Sequence, residues 1–431
     1  MKTQLNTRSI LETVADGYEV YAARRQEFDT QQTIPFRVSD EPFWVTTQQR
    51  TQINQIGQAV CAYFTAVTDL YHTDEMVRQL LDRGKPASLT GDQRADYLFV
   101  RPDMIITDNG FAICELETSP FGLALADILT RGYRAAGCDT LVGEAALQQH
   151  LHHTTPAQGT VVYSKKTQAY AGQMHYLAEK LLSGSGRSWA ATHIDENTSL
   201  HSGTSAVYRG FYLSEAQSDS RVAELLYTHA SDPKTKTLVP SATPHAEEKA
   251  LLSFIWDKRF EKRLKRELGS AAFNLLRQGI PPTWIVGEEK HFAPGLPNQY
   301  TTTTELAGLS KRQRAFVLKS SGFSAVSSWA EGVYFLGKKS AAADTERLRL
   351  AEKDTDHLYV VQALKKGKNH LLSYARAGQT VPMQGRVRLT PYFSMQAHNT
   401  GELLAVKATA CENTDFIHAT SVSINTAVAV R

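Results

Sequence analysis

Apolar residues recur along this chain with two different periods. Between residues 46 and 72, Ile53, Ile56, Val60, Tyr63 and Phe64 return at helical spacing in a Gln- and Ala-rich stretch, which predicts an amphipathic helix. Residues 96–117 read as two strands around Asp108-Asn109-Gly110, and Asn-Gly is a strong hairpin signal. Leu123 to Arg134 predicts a short helix. Residues 140–215 read as an α/β unit, with Val161-Val162-Tyr163 a strand, 168–182 a helix and Trp189-Ala190-Ala191 a second strand. Segment 184–204, rich in Ser, Gly, Thr and His, reads as loop, and 231–245 as a linker or boundary. A helical region is expected next, capped by Thr243, with Pro244 in its first turn and Glu247 and Glu248 complementing the helix dipole. Phe260, Leu264 and Leu268 give it one buried stripe, and Gly279 with Pro281-Pro282 ends it. From 315 onward the pattern turns to strands, at 315–319, 331–337, 358–364, 385–393 and 402–410. The chain therefore predicts a mixed α/β (α+β) protein.

At 431 residues there is material for two or three domains with substantial cores. The 47 basic and 44 acidic residues leave a formal charge of +3, which argues against a general nucleic-acid or membrane-surface binder. No apolar run reaches the length of a membrane span, and the opening MKTQLNTRSILETVADGYEV lacks an apolar leader core. Cys61, Cys114, Cys138 and Cys411 are scattered, without metal-site or disulfide spacing, and a reducing cytoplasm is expected.

Candidate chemistry concentrates first in RPDMIITDNGFAICELETSPFG. Strand side chains alternate faces, so Arg101 and Asp103 share one face, as do Glu115 and Glu117. If the hairpin pairs those faces, three carboxylates and a guanidinium converge, a ligand set suited to Mg²⁺ completed by phosphate oxygens. The same pattern also fits a solvated sheet face. Asp257-Lys258 lies at an expected helix start, where Lys258 suits a phosphate, although a solvated basic face explains it too. In FVLKSSGFSAVSSWAEGV a strand ends at Lys319 and a loop bounded by Gly322 and Gly332 follows. Such a loop can fold over a triphosphate, or be an ordinary hairpin connection; it is not a Walker A loop. Gln362 ends an apolar strand whose edge suits an adenine ring, and Arg386 and Arg388 share a strand face that could clamp carboxylate or phosphate. His150, His152 and His153 lack a second ligand cluster and read as a solvated helix end. There is no GxSxG motif.

In order, these segments resemble the circularly permuted ATP-grasp ligases typified by the synthetase domain of glutathionylspermidine synthase. The family's Arg-x-Asp and Glu-x-Asn correspond to Arg101, Asp103 and Glu115, with Glu117 at the Asn position. Ser119-Pro120 resembles its Thr-Pro, and YRGFYL at 208–213 its Tyr-Arg-Arg segment. Asp257-Lys258 with GIPPTW resembles the element opening its nucleotide-binding part, and the Lys319 strand its Val-x-Lys-Pro, with Ser320 replacing the Pro. The resemblance implies an N-terminal substrate region at 1–95, metal-binding strands at 96–135, a substrate-side α/β region at 136–240 and nucleotide-binding subdomains at 241–431. It implies ATP and Mg²⁺ as cofactors, with metal on Asp103, Glu115 and Glu117 and phosphates on Lys258 and Lys319. Arg101, Arg386 and Arg388 are then catalytic, and Gly322, Gly332 and Gln362 complete the nucleotide site. The implied reaction joins a small-molecule carboxylate to an amine through an acyl phosphate, releasing ADP and phosphate. The alternative is a degenerate member that senses nucleotide or scaffolds a partner.

Overall fold

Thr46 and Gln49 exchange side-chain and backbone hydrogen bonds in a capping box that starts helix Thr47–Thr73. In the computed structural model, which describes residues 10, 13–14, 36–90, 97–195, 206–231, 237–288, 291, 303–327, 331–376, 379–398, 400–412, 414–418 and 422–431, this helix lies along a large sheet. The sheet's main path runs Arg37–Val38, Ile424–Val430, Leu403–Glu412, Gln379–Ser394, Phe99–Thr107, Gly110–Glu117. Phe43–Val45 pairs with Ile424–Val430, and Asn369–Arg376 with Gln379–Ser394. Strand alternation splits the sheet's side chains between two cores. Val387, Leu389 and Val406 join Ile53, Ile56, Val60 and Phe64 in one buried cluster. Tyr392, Ala405 and Ala427 join Leu125, Leu129 and Tyr133 of helix Leu123–Ala135 in the other.

Two smaller sheets flank this frame. One is antiparallel, ordered Val333–Phe335, Phe316–Ser320, Tyr359–Ala363, Thr283–Ile285. The other is parallel, ordered Ser188–His193, Gln158–Tyr163, Ala206–Gly210, Thr237–Val239. The predicted hairpin thus pairs with Gln379–Ser394, a strand from the last third of the chain. Thr237–Val239 falls inside the expected linker and completes the parallel sheet, while 232–236 lie outside the described residues. Among the described residues, no helix is long and apolar enough to cross a membrane.

The expected helix at Thr243 is corrected. Pro244–Glu247 and Lys249–Trp256 are tight 3₁₀ turns, and the α-helix begins only at Glu261. Thr243 caps nothing, and the carboxylates of Glu247 and Glu248 turn to Arg209 and Lys85 instead of the first-turn amides. Residues 249–255 are buried on every side, so they present no solvent face for an amphipathic helix. Helix Glu261–Gly279 is also broken at Gly269, whose φ of 75° is left-handed and suits glycine. The histidine expectation changes as well. His150 of helix Ala146–Thr154 is buried, its Nε2 3.0 Å from the Leu98 carbonyl, and lines a cavity of about 540 Å³ with His153 and His398.

Candidate functional site

The hairpin register brings the acidic residues together. Arg101 lies opposite Glu117 and Asp103 opposite Glu115, each pair sharing one sheet face. A bulge follows, because Met104 pairs with Ile113 and leaves Cys114 as the extra residue. The row continues across the sheet on the same face. Arg388 pairs with Thr409, Thr409 with Asn425, and Thr390 with Lys407. One face of five adjoining strands thus carries an almost wholly buried polar row.

Each carboxylate in this row is engaged by a cation of the protein. Arg101 donates to Asp103 at 3.2 Å and to Glu117 at 2.6 Å, and to the Phe121 carbonyl at 2.8 Å. Arg388 donates to the other Asp103 oxygen at 2.7 Å. Glu115 pairs with Lys249 at 3.0 Å. Burial opposes the charge of Asp103, yet Arg388 and Arg101 hold its carboxyl below the usual range. Glu115 is likewise held low by Lys249 and Lys319 against burial. Glu117 goes the other way, raised by burial and by its acidic neighbours despite Arg101.

The antiparallel sheet supplies Lys319. Its Nζ donates to the bulged Cys114 carbonyl at 2.8 Å and to Gln362 Oε1 at 2.9 Å, while Gln362 Nε2 donates to Thr283 Oγ1 at 3.0 Å. The chain after Lys319 is stitched down by the 3₁₀ turns. Glu248, paired with Lys85 at 2.5 Å, accepts from Ser321 Oγ and from the amide of Gly322 at 2.7 Å. Lys249 Nζ also reaches the Ser327 carbonyl at 2.6 Å, and Lys166 the Ala325 carbonyl at 2.7 Å. Gly322 is required by this close approach, since a Cβ there would lie 2.7 Å from the Glu248 carboxylate. Gly322→Ala should therefore destabilise the protein by about 1–3 kcal/mol, the usual cost of overpacking, measured by denaturant unfolding. Gly332 folds the far end of the loop back, its carbonyl accepting from the Ser320 amide at 2.9 Å.

Lys407 lies under the start of helix Leu123–Ala135, its Cε 3.3 Å from where a Gly122 Cβ would be. Among the described residues its ammonium meets neutral oxygens, Thr409 Oγ1 at 2.8 Å and Asn425 Oδ1 at 3.3 Å. Burial, with Arg388 and Arg101 adding repulsion, lowers it from 10.5 to about 7. Below that value both folded and unfolded chains carry the charge and the burial cost is full. As pH rises past it, the folded lysine sheds a proton that the unfolded chain keeps, so stability rises. Lys407→Met should raise the melting temperature more at about pH 6 than at about pH 9, in thermal melts of both proteins.

The structure gathers Arg101, Asp103, Glu115, Glu117, Lys319, Gln362 and Arg388. It does not gather Lys258, which is exposed and whose amide donates to the His291 carbonyl. The buried lysine of that region is Lys249, a charge set before the apolar run ALLSFIW, and that contrast was its readable signal. Arg386 turns to Asp415, which Lys338 also engages at 2.9 Å. Glu248 and Lys407 carried no motif. Beside Glu117, Phe121 packs against Tyr170 and Tyr212 at centroid distances of 4.8 and 4.7 Å, giving the row an aromatic wall from the α/β unit.

The expected Mg²⁺ ligands lie together on this face, each engaged by a cation of the protein. Among the described residues, no three His, Cys, Asp or Glu side chains are grouped to hold a metal ion. Asp103, Glu115 and Glu117 share a face, with both oxygens of Asp103 and one of each glutamate turned onto Arg101, Arg388 and Lys249.

No protein-family model matches the sequence, and no curated protein matches it. Among solved structures, the chain is similar to a glutathione synthetase-like effector from Globodera pallida, at 12% identity and a TM-score of 0.55, covering 99% of this chain and 98% of that one. D-cycloserine synthetase DcsG matches at 15% identity and a TM-score of 0.28, over 60% of this chain and 75% of that one. At such identities only the first likeness bears on the fold, which this chain shares with that effector along essentially its whole length.

Proposed function

We propose that the protein is an ATP-dependent carboxylate–amine ligase. The observation that carries this reading is the meeting of buried Arg101, Lys249 and Lys319 with half-buried Arg388, drawn from four distant segments, on a fold shared with a glutathione synthetase-like effector. Such convergence of cations suits a polyphosphate. Lys249 and Lys319 would hold the triphosphate, and Gln362, beside Lys319, would orient its nucleoside end. A substrate carboxylate would approach Arg101 along the Phe121–Tyr170–Tyr212 wall. Its oxygen attacks the γ-phosphorus, ADP leaves, and an acyl phosphate forms. An amine then attacks the acyl carbon, and phosphate departs with the oxygen that came from the carboxylate. Arg101 and Arg388 would stabilise the charge on the transferring group.

A second reading, nucleotide binding without turnover, is favoured by one feature. The amide of Gly322 at the loop base is already engaged by Glu248 and so is not directed at a phosphate. One experiment separates the readings: the protein incubated with ATP and pooled metabolite carboxylates and amines, with the nucleotide and acyl products identified. ADP with a new amide is the expected outcome. AMP would contradict the acyl-phosphate route, and bound ATP without turnover would favour the second reading.

A further inference from the structure

We propose that Lys166 and Phe323 hold the loop after Lys319 against the parallel-sheet unit, so that the loop shields the acyl phosphate from water. The inference rests on the ligase reading above and assigns Lys166 as a positioning residue for that reaction.

Three observations carry it. First, the loop is docked from two sides. Phe323, the residue after Gly322, is buried in the core of the parallel-sheet unit with Val162, Val207, Phe211 and Leu213, and Lys166 Nζ donates to the Ala325 carbonyl at 2.7 Å. From the 3₁₀ turns, Glu248 accepts from the Gly322 amide and Lys249 Nζ donates to the Ser327 carbonyl at 2.6 Å. Residues 321–327 therefore bridge the turns that carry Lys249 and the unit that carries the aromatic wall. Second, the turn bearing Lys166 is built by buried polar groups. The Ser164 amide donates to Thr167 Oγ1 at 3.0 Å, Thr167 Oγ1 donates to the Gly210 carbonyl at 2.7 Å, and Ser164 Oγ donates to Glu215. The backbone of this turn is thus already ordered, and only the side chain of Lys166 has to be fixed for it to cap the loop. Third, the same groups hold the aromatic wall. Glu215 Oε1 accepts from the Tyr212 amide at 2.8 Å, and the Tyr170 amide donates to the Thr167 carbonyl at 2.8 Å. The wall and the tether of the loop are therefore set by one network. An acyl phosphate formed beside Arg101 has two fates. Attack by the amine gives the amide and phosphate. Attack by water returns the carboxylate and phosphate, so the net reaction is hydrolysis of ATP to ADP and phosphate. A loop held closed by both units favours the first fate by excluding water.

The test compares full-length wild type, Lys166→Met and Lys166→Arg by two readouts. Lys166 is half-exposed, so neither variant disturbs a core. The first readout is amide hydrogen exchange of residues 321–327 without ligand, followed by mass spectrometry. Exchange should be about 3- to 10-fold faster in Lys166→Met, the effect expected from one lost hydrogen bond, and close to wild type in Lys166→Arg. The second is the ratio of ADP to amide formed from ATP and the pooled carboxylates and amines. That ratio should rise about 3- to 10-fold in Lys166→Met and return in Lys166→Arg, with the ATP dissociation constant of both within about twofold of wild type. A merely structural role for Lys166 would leave this ratio unmoved. Unchanged exchange in Lys166→Met overturns the proposal, because the lysine then does not hold the loop. Faster exchange with an unchanged ratio also overturns it, because the loop then does not shield the intermediate. A wild type that forms no amide overturns the ligase reading, and the shielding role with it, while the exchange rates still show whether Lys166 holds the loop.

Discussion

Lys319→Ala should raise the dissociation constant for ATP by roughly 10²-fold, the effect expected when about 3 kcal/mol of buried charge–charge contact is lost. The residue ends an apolar strand, so its ammonium has to be directed somewhere polar, and it is directed at Cys114 and Gln362 beside the acidic hairpin. Lys319→Arg should do less harm, because the charge is kept although the donor geometry changes. Removal of the ammonium also leaves the Gln362 oxygen and the Cys114 carbonyl without their donor, at about 1–3 kcal/mol each. A lower melting temperature should therefore accompany the weaker binding in Lys319→Ala. Calorimetric titration reads the first effect and thermal unfolding the second. An unaltered ATP affinity would remove Lys319 from the nucleotide site.

Arg101→Met should have the larger structural effect. This guanidinium is the shared partner of Asp103, Glu117 and the Phe121 carbonyl, all on the buried row. Without it half-buried Glu117 loses its cation and buried Asp103 keeps only Arg388, and the expected loss of stability is about 3 kcal/mol, the low end for a broken buried pair. Turnover should vanish as well. The two consequences separate in the double variant Arg101→Met/Glu117→Leu, which removes both charges. Stability should largely return, because a well-packed apolar pair can replace a buried ion pair, whereas turnover should not. Recovery of turnover in the double variant would show that Arg101 acts only as a structural counterion. Urea unfolding and ATP hydrolysis coupled to product formation provide the two readouts.

Much of this arrangement was legible because it depends on local period. The hairpin at Asp108-Asn109-Gly110, helix Thr47–Thr73 and helix Leu123–Ala135 follow from apolar spacing and turn chemistry close to the predicted bounds. The shared face of Arg101 and Asp103, and that of Glu115 and Glu117, followed from strand alternation, and the bulge at Cys114 sets the two pairs opposite each other. Strands Asn369–Arg376 and Ile424–Val430 were not foreseen. The first has an exposed Leu371 and little apolar alternation, and the second, INTAVAV, owes its place to pairing with both ends of the chain. The stretch after Thr243 carried every local helix-start signal, and tertiary burial overrode them. Lys249 was passed over for Lys258 for the same reason. A lysine near a helix start reads as phosphate-binding, whereas the lysine that the buried turns aim at Glu115 is Lys249. The bulge that offers the Cys114 carbonyl to Lys319 has no sequence signal, since it arises from the register of two strands and not from either alone.

The most direct test of the proposed reaction follows the substrate oxygens. Once turnover with the metabolite pool identifies a carboxylate substrate, that compound is supplied with ¹⁸O in its carboxyl group and the phosphate released is weighed by mass spectrometry. Attack on the γ-phosphorus places one carboxylate oxygen in the acyl phosphate, and amine attack at carbon leaves it there. The account predicts one ¹⁸O atom in each phosphate formed, with unlabelled ADP. Label in AMP, or phosphate free of label, would contradict it.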